Sequence, residues 1–184
     1  MPRVKTADKE LAILESASRV FALRPFHEVL IDDVAAEAGI GKGTIYRYFE
    51  TKEDLYFATI LFALDSLAAA LARSLPHESS PEKRLERIAR EILSYFWERR
   101  HLIPMLQHHE RDEPRKAQLL KRREPILRLT QEAILNGIER REFRGIDARI
   151  GAELFFGMTR AAHLFHRDEN TVEQLVSDLM GIYV

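Results

Sequence analysis

The sequence predicts an all-α fold. Apolar residues recur at helical spacing through almost the whole chain, and no stretch alternates with period two between hairpin turns. Capping signals also punctuate the chain at helix-length intervals, and about nine helices fit between them. The first runs from about Asp8 to Leu23, with Leu11, Leu14, Ala17, Val20 and Phe21 on one stripe, and Pro25 prevents its continuation. Near the N-terminus, Arg3, Lys5 and Lys9 could form a phosphate-following arm, but this stretch reads better as a frayed, solvated tail.

Two short helices follow, about Asp32 to Ala38 and Lys42 to Phe49, separated by Gly39-Ile40-Gly41. Thr51 then caps a longer helix reaching about Ser74, because TKED sets a carboxylate, Asp54, three residues after the hydroxyl. Phe57, Ile60, Leu61, Leu64, Leu67 and Leu71 form its apolar face. Pro76 to Ser80 is a loop, and Ser80-Pro81-Glu82 starts a helix that extends to about Arg100. A short helix around His101 to Glu110 and a long one from Pro114 to Arg141 come next, the latter expected to bend near Pro125 and to be closed by Gly145. The last two, about Asp147 to His166 and Thr171 to Tyr183, are joined by a tight charged turn, with Asn170 and Glu173 as a capping pair.

Composition narrows the classes. The 184 residues are 46% hydrophobic and 31% charged, as expected of a soluble globular chain with one or two domains. There is no cysteine, so a disulfide framework and cysteine-ligated metal sites are excluded, and a cytoplasmic setting is expected. The N-terminus has no signal-like apolar run, and the most apolar stretch, Phe57 to Ala72, is interrupted by Asp65 and Ser66 and reads as too short to span a bilayer. No membrane partner is expected. Net charge is −1, and residues 1–52 balance eight basic side chains against eight acidic ones. Any polyanion-binding argument must therefore rest on pattern.

The pattern is IDDVAAEAGIGKGTIYRYF. A helix-turn-helix needs small residues where its helices meet, a left-handed residue in the turn, and an inner face that anchors the second helix. Ala35 supplies the first, Gly39 the second, and Val34, Ala38, Ile40, Ile45 and Tyr48 the third. Lys42, Gly43, Thr44, Tyr46 and Arg47 are left facing outward, a short basic surface suited to phosphates and base edges. A phosphate-binding loop is excluded: Gly43 separates Lys42 from Thr44, and a helix precedes the glycines where that loop needs a strand.

Val34 to Leu55, VAAEAGIGKGTIYRYFETKEDL, resembles the N-terminal signature of the TetR family of regulators. The resemblance implies a helix-turn-helix DNA-binding domain over 1–52 and a helical ligand-binding and dimerisation domain over 53–184. It places Lys42, Gly43, Thr44, Tyr46 and Tyr48 on DNA-contact positions, with Arg47 beside them, and Lys52 on a backbone-contact position. Lys42 and Thr44 are assigned to base readout, Tyr46 and Lys52 to phosphate. Two departures stand out. Leu30, Ile31, Asp32 and Asp33 replace the usual hydroxyl residue at the opening of the motif, so the acids suit a helix N-terminus but repel DNA. Gly41 replaces the usual serine cap of the second helix.

In the body, Phe96, Trp97, Arg100, His101, Met105, His109, Phe155, Met158 and His163 are candidate lining for an effector pocket, a role implied by the resemblance. His163 and His166, at i, i+3, can share a helix face, and His108, His109 and Glu110 could add ligands, but no HExxH or comparable constellation occurs, and no metal or other cofactor is expected. Leu154, Met158, Ala161, Phe165, Leu175 and Leu179 are candidates for a homodimer interface of the last two helices, where Gly151, Gly157 and Ala161 permit close approach. The reading is a repressor, not an enzyme, that leaves double-stranded operator DNA when an unidentified small molecule shifts the helix from Lys52 to Ser74. The alternative is a helical binding protein or enzyme built on the histidine-aromatic body, for which no nucleophile-base pair is present.

Overall fold

In the computed structural model the described residues are 3–78, 80–102, 109, 111–165 and 172–184, with side chains described for all but 3–6 and 163–165. Among them are eight α-helices and no strand: α1 (Arg3–Leu23), α2 (Ile31–Ala38), α3 (Lys42–Tyr46), α4 (Lys52–Ser74), α5 (Pro81–Glu98), α6 (Glu113–Glu139), α7 (Ala148–Phe165) and α8 (Val172–Tyr183). The all-α expectation holds. Of the expected helix around His101 to Glu110, residues 103–108 and 110 lie outside the described residues, as do the Asn170 cap and the turn before it. Arg100–Leu102 forms one 3-10 turn.

The chain divides into two compact units, 1–64 with 99–118, and 65–98 with 119–184, so that the division cuts α4 and α6. In the first unit, α1 begins at Arg3, which makes the basic N-terminal stretch helical and not a tail; nothing between Arg3 and Leu23 breaks a helix. Its buried face is Ile13, Ala17, Val20 and Phe21, while Leu11 is 47% exposed. The expected stripe is thus rotated: Ile13 takes the core position assigned to Leu11, because 13, 17, 20 and 21 are the set that shares a face. Phe21 meets Tyr56 edge-on at 4.7 Å, and Phe26 meets the same ring at 5.0 Å. The Tyr56 hydroxyl donates to the His101 carbonyl at 2.7 Å, and burial pushes its pKa up.

The second unit is built from the rest of α4 and α6 with α5, α7 and α8. Ser80 caps α5 as expected, its Oγ accepting from the Lys83 amide at 3.2 Å. Leu85, Ile88, Ala89, Ile92 and Leu93 form the buried stripe of α5. The helix α6 runs through Pro125 without interruption. Its end corrects the sequence expectation. The left-handed residue is Arg141 (φ 60°), not Gly145, and the amides of Glu142 and Phe143 turn back onto the Gly137 carbonyl. The Phe143 ring then lies where a Gly137 side chain would stand, 2.2 Å from an added Cβ. Gly151 is likewise packed within its own unit, against Ile146, with its carbonyl accepting from the Tyr183 hydroxyl at 2.8 Å.

Length does not argue against a membrane span. Lys52–His77 is long and apolar enough to cross one, with a window of mean hydropathy 1.9. Half of that window is buried inside the protein and Asp65 within it pairs with Arg122, which marks a core helix.

Burial raises the Tyr183 pKa to about 12. A group whose folded pKa exceeds its unfolded one, about 10 for tyrosine, contributes stability below the unfolded value and loses it as pH rises through the folded one. Between pH 10 and about 12, wild type is therefore expected to lose stability faster than Tyr183→Phe, measured by urea unfolding at stepped pH. Parallel curves would show that this hydroxyl is not responsible.

Candidate nucleic-acid interface

The helix-turn-helix forms as the sequence demands. Gly39 ends α2 in the left-handed region (φ 65°, ψ 31°), and the Ile40 amide reaches back to the Ala35 carbonyl at 3.0 Å, a Schellman closure. Ile31, Val34 and Ala35 of α2 and Ile45 of α3 are buried, while Ala38, Ile40 and Tyr48 are half-buried. Phe49, which the sequence reading passed over, is buried as well.

The second helix is shorter than expected. It ends at Tyr46, and the chain continues to Phe49 through tight turns in which Arg47 donates to Thr44 and Tyr48 to Ile45. Gly41 caps it with extended backbone (φ −76°, ψ 143°) and no side-chain bond. With Ile45 wholly buried beneath, Lys42, Gly43, Tyr46 and Arg47 are exposed and Thr44 half-exposed, so α3 presents one polar, basic face.

Most of the basic groups around that face are held internally. Lys42 Nζ lies 2.9 Å from Asp32 Oδ2, and this hydrogen bond raises the lysine pKa. Arg24 pairs with Asp33 at 2.9 Å, and Arg19 with Glu37 at 2.6 Å. The Asp33 carboxylate also accepts from the Leu30 amide at 2.8 Å, which holds its pKa down and caps α2 from one side only, since Leu30 has no acceptor. The acids expected to repel DNA are thus engaged in capping and ion pairing. Lys52 donates to the carbonyls of Phe26 and Val29 at 2.8 and 2.9 Å and sits over the Phe26 ring, which ties the start of α4 to the loop before α2. Arg47 makes no ion pair among the described residues. Arg47→Ala is accordingly expected to weaken binding to any duplex and to flatten the salt dependence of log K by about 0.9. An unchanged slope in a salt titration would remove Arg47 from the phosphate contacts.

The first turn of α4 is fixed by more than its cap. Thr51 and Asp54 form the expected reciprocal box, the Asp54 amide donating to Thr51 Oγ1 at 3.0 Å and the Thr51 hydroxyl to Asp54 Oδ2 at 2.7 Å. Asp54 Oδ1 and Glu53 take the two arms of Arg115 at 2.9 and 2.7 Å, and Arg115 also meets His109 Nδ1 at 2.9 Å. The sequence reading missed Arg115. A partner 61 or 62 positions away leaves no periodic signal.

The candidate pocket residues fall in different places. Phe96 and Trp97 are half-buried on α5, Arg100 is exposed, His101 half-buried, and His109 fully buried against Phe57. Phe155 is a core residue packed on Tyr183 at 5.6 Å. Met105 and the side chain of His163 lie outside the described residues. Of the interface candidates, Leu154 is 57% exposed and Met158 and Ala161 are half-buried beside a shallow groove of about 240 Å³ between α7 and α8, whereas Leu175 and Leu179 at its floor are buried in the chain's own core, which the stripe pattern alone could not tell from an outward face. The side chain of Phe165 is not among those described.

Residues 13–59 match the family profile of bacterial regulatory proteins, tetR family, and residues 78–169 match that of the tetracyclin repressor-like C-terminal domain. The chain belongs to the TetR family. It is a DNA-binding transcriptional regulator. Among TetR-family relatives it is 20% identical over 152 residues to the fatty acid metabolism regulator protein of Bacillus subtilis, covering 81% of this chain and 78% of that one. It is 35% identical over 91 residues to the regulator EthR of Mycolicibacterium smegmatis, covering 48% of this chain and only 40% of the relative. The fold matches FadR from Bacillus subtilis in complex with stearoyl-CoA at a TM-score of 0.73, with 18% identity, over 94% of this chain and 96% of that one. It also matches a regulator from Saccharomonospora viridis in complex with choline at 0.77, with 19% identity, over 94% of each chain.

Proposed function

We propose that this TetR-family protein is a cytoplasmic, nucleoid-associated repressor that binds a two-fold operator as a homodimer and is released by a small molecule. It acts by binding, without turnover. The observation that carries the reading is the exposed basic face of α3, anchored by a wholly buried Ile45. In this reading residues 1–52 are the DNA-binding domain and 53–184 the ligand-binding and dimerisation domain. Lys42 and Thr44 read bases, with Gly43 allowing close approach of the backbone. Tyr46, Arg47, Tyr48 and Lys52 hold phosphates.

The dimer contact is made by the outer faces of α7 and α8 around Leu154, Met158 and Ala161, supported by the exposed Ile150, Leu154 and Ile182. For the effector, Phe96 and Trp97, half-buried on α5, are the first of the candidate pocket residues to test. Long-chain acyl-CoA is the first effector to try, because one relative is named for fatty acid metabolism and a structure of the same fold holds stearoyl-CoA.

Selection of bound duplex from a random pool by the full chain tests the first half, and enrichment of a two-fold sequence is expected. Titration of that complex with stearoyl-CoA tests the second. Failure to enrich any sequence overturns the operator reading, and equal affinity with and without the thioester removes it as the effector.

A further inference from the structure

We propose that Asp32 is a specificity-determining residue, an internal counter-ion that occupies Lys42 until operator DNA displaces it and so holds down binding to generic duplex. The inference rests on the DNA-binding reading above. Asp32 lies in the first turn of α2 and Lys42 opens α3, and the turn between them brings Nζ and Oδ2 to 2.9 Å. Their side chains are 62% and 47% exposed, so the pair can exchange. An exposed pair of this kind holds with no more than about a fivefold preference.

Sequence-independent binding is driven by counter-ions released when cations meet phosphates. A lysine already neutralised by a fixed carboxylate releases fewer of them. Once displaced, that carboxylate stays beside the DNA and repels it. At a base edge that hydrogen-bonds the ammonium, the exchange is compensated by the new contact. On generic duplex only the phosphate attraction remains, and the cost of exchange falls in full on the wrong sites. The neighbouring pair Arg24–Asp33 extends the same neutralisation along α2, in keeping with the zero formal balance over residues 1–52.

The test uses the full chain as wild type, Asp32→Asn, Lys42→Gln, the double variant and Glu37→Gln. Binding is measured to random-sequence duplex and to a selected operator across about 50 to 200 mM salt. Asp32→Asn is expected to bind random duplex about tenfold more tightly at the lowest salt, with a log–log salt slope steeper by about 0.9, and to narrow the operator-to-random ratio. The gain should vanish in the Lys42→Gln background, and Glu37→Gln should leave random-duplex binding within about twofold of wild type. The proposal is overturned if the gain persists without Lys42 or if Glu37→Gln reproduces it, since either makes it a general charge effect. It is overturned equally if Asp32→Asn weakens operator binding, which would make Asp32 an orienting partner of Lys42. A wild-type chain that binds neither duplex overturns the DNA-binding reading as well.

Discussion

Replacing Lys42 and Thr44 together by alanine is expected to lower operator affinity by about 100-fold or more while leaving the fold intact. Each base-edge contact is worth about 1–3 kcal/mol of discrimination, and the two residues supply the ammonium and hydroxyl donors of the exposed face of α3. The anchoring groups beneath, Ile45 and Phe49, are untouched, and Lys42 contributes to the fold only an exposed ion pair. Circular dichroism and the melting temperature should therefore match wild type when anisotropy shows binding lost. Lys42→Ala alone should also flatten the salt dependence, whereas Thr44→Ala should shift affinity at constant slope. Operator binding that survives the double change would take α3 out of the interface.

The largest effect on stability is expected from Phe21→Ala. Phe21 is wholly buried, and its truncation removes an aromatic ring and leaves a void beside Tyr56 and Phe26. Changes of this kind cost about 3–5 kcal/mol, which for a chain of this size lowers Tm by roughly 10 °C or more. Operator binding should weaken too, since Phe26 lies under the Lys52 ammonium that ties the loop before α2 to α4. Leu11→Ala is the matched control on the same helix: at 47% exposure it should change stability by less than about 0.5 kcal/mol. Similar melting curves for the two variants would contradict the facing of α1.

What was legible in the sequence was local. The starts of α4 and α5 at Thr51 and Ser80 could be read because a cap and its partner lie three residues apart, and the end of α2 because glycine is the residue that turns left-handed at little cost. The outward residues of α3 followed from the period of a helix pinned by Ile45. What escaped depends on distant partners. Whether Leu11 or Ile13 faces inward is decided by what α1 packs against. Arg141 holds a left-handed conformation that its side chain does not favour, because Phe143 must fold back over Gly137. The charge of Lys42 could be read, but its neutralisation by Asp32 depends on how the turn brings α2 and α3 together.

The two oxygens of Asp54 serve partners at very different distances along the chain, 3 residues for Thr51 and 61 for Arg115. Contacts of low sequence separation close early in folding, because little loop entropy opposes them. The first turn of α4 can therefore be set before residue 115 leaves the ribosome, and the arginine docks onto a carboxylate already held in place. In kinetic terms, weakening the threonine contact is expected to retard folding and weakening the arginine contact to hasten unfolding, which the two limbs of a chevron would show.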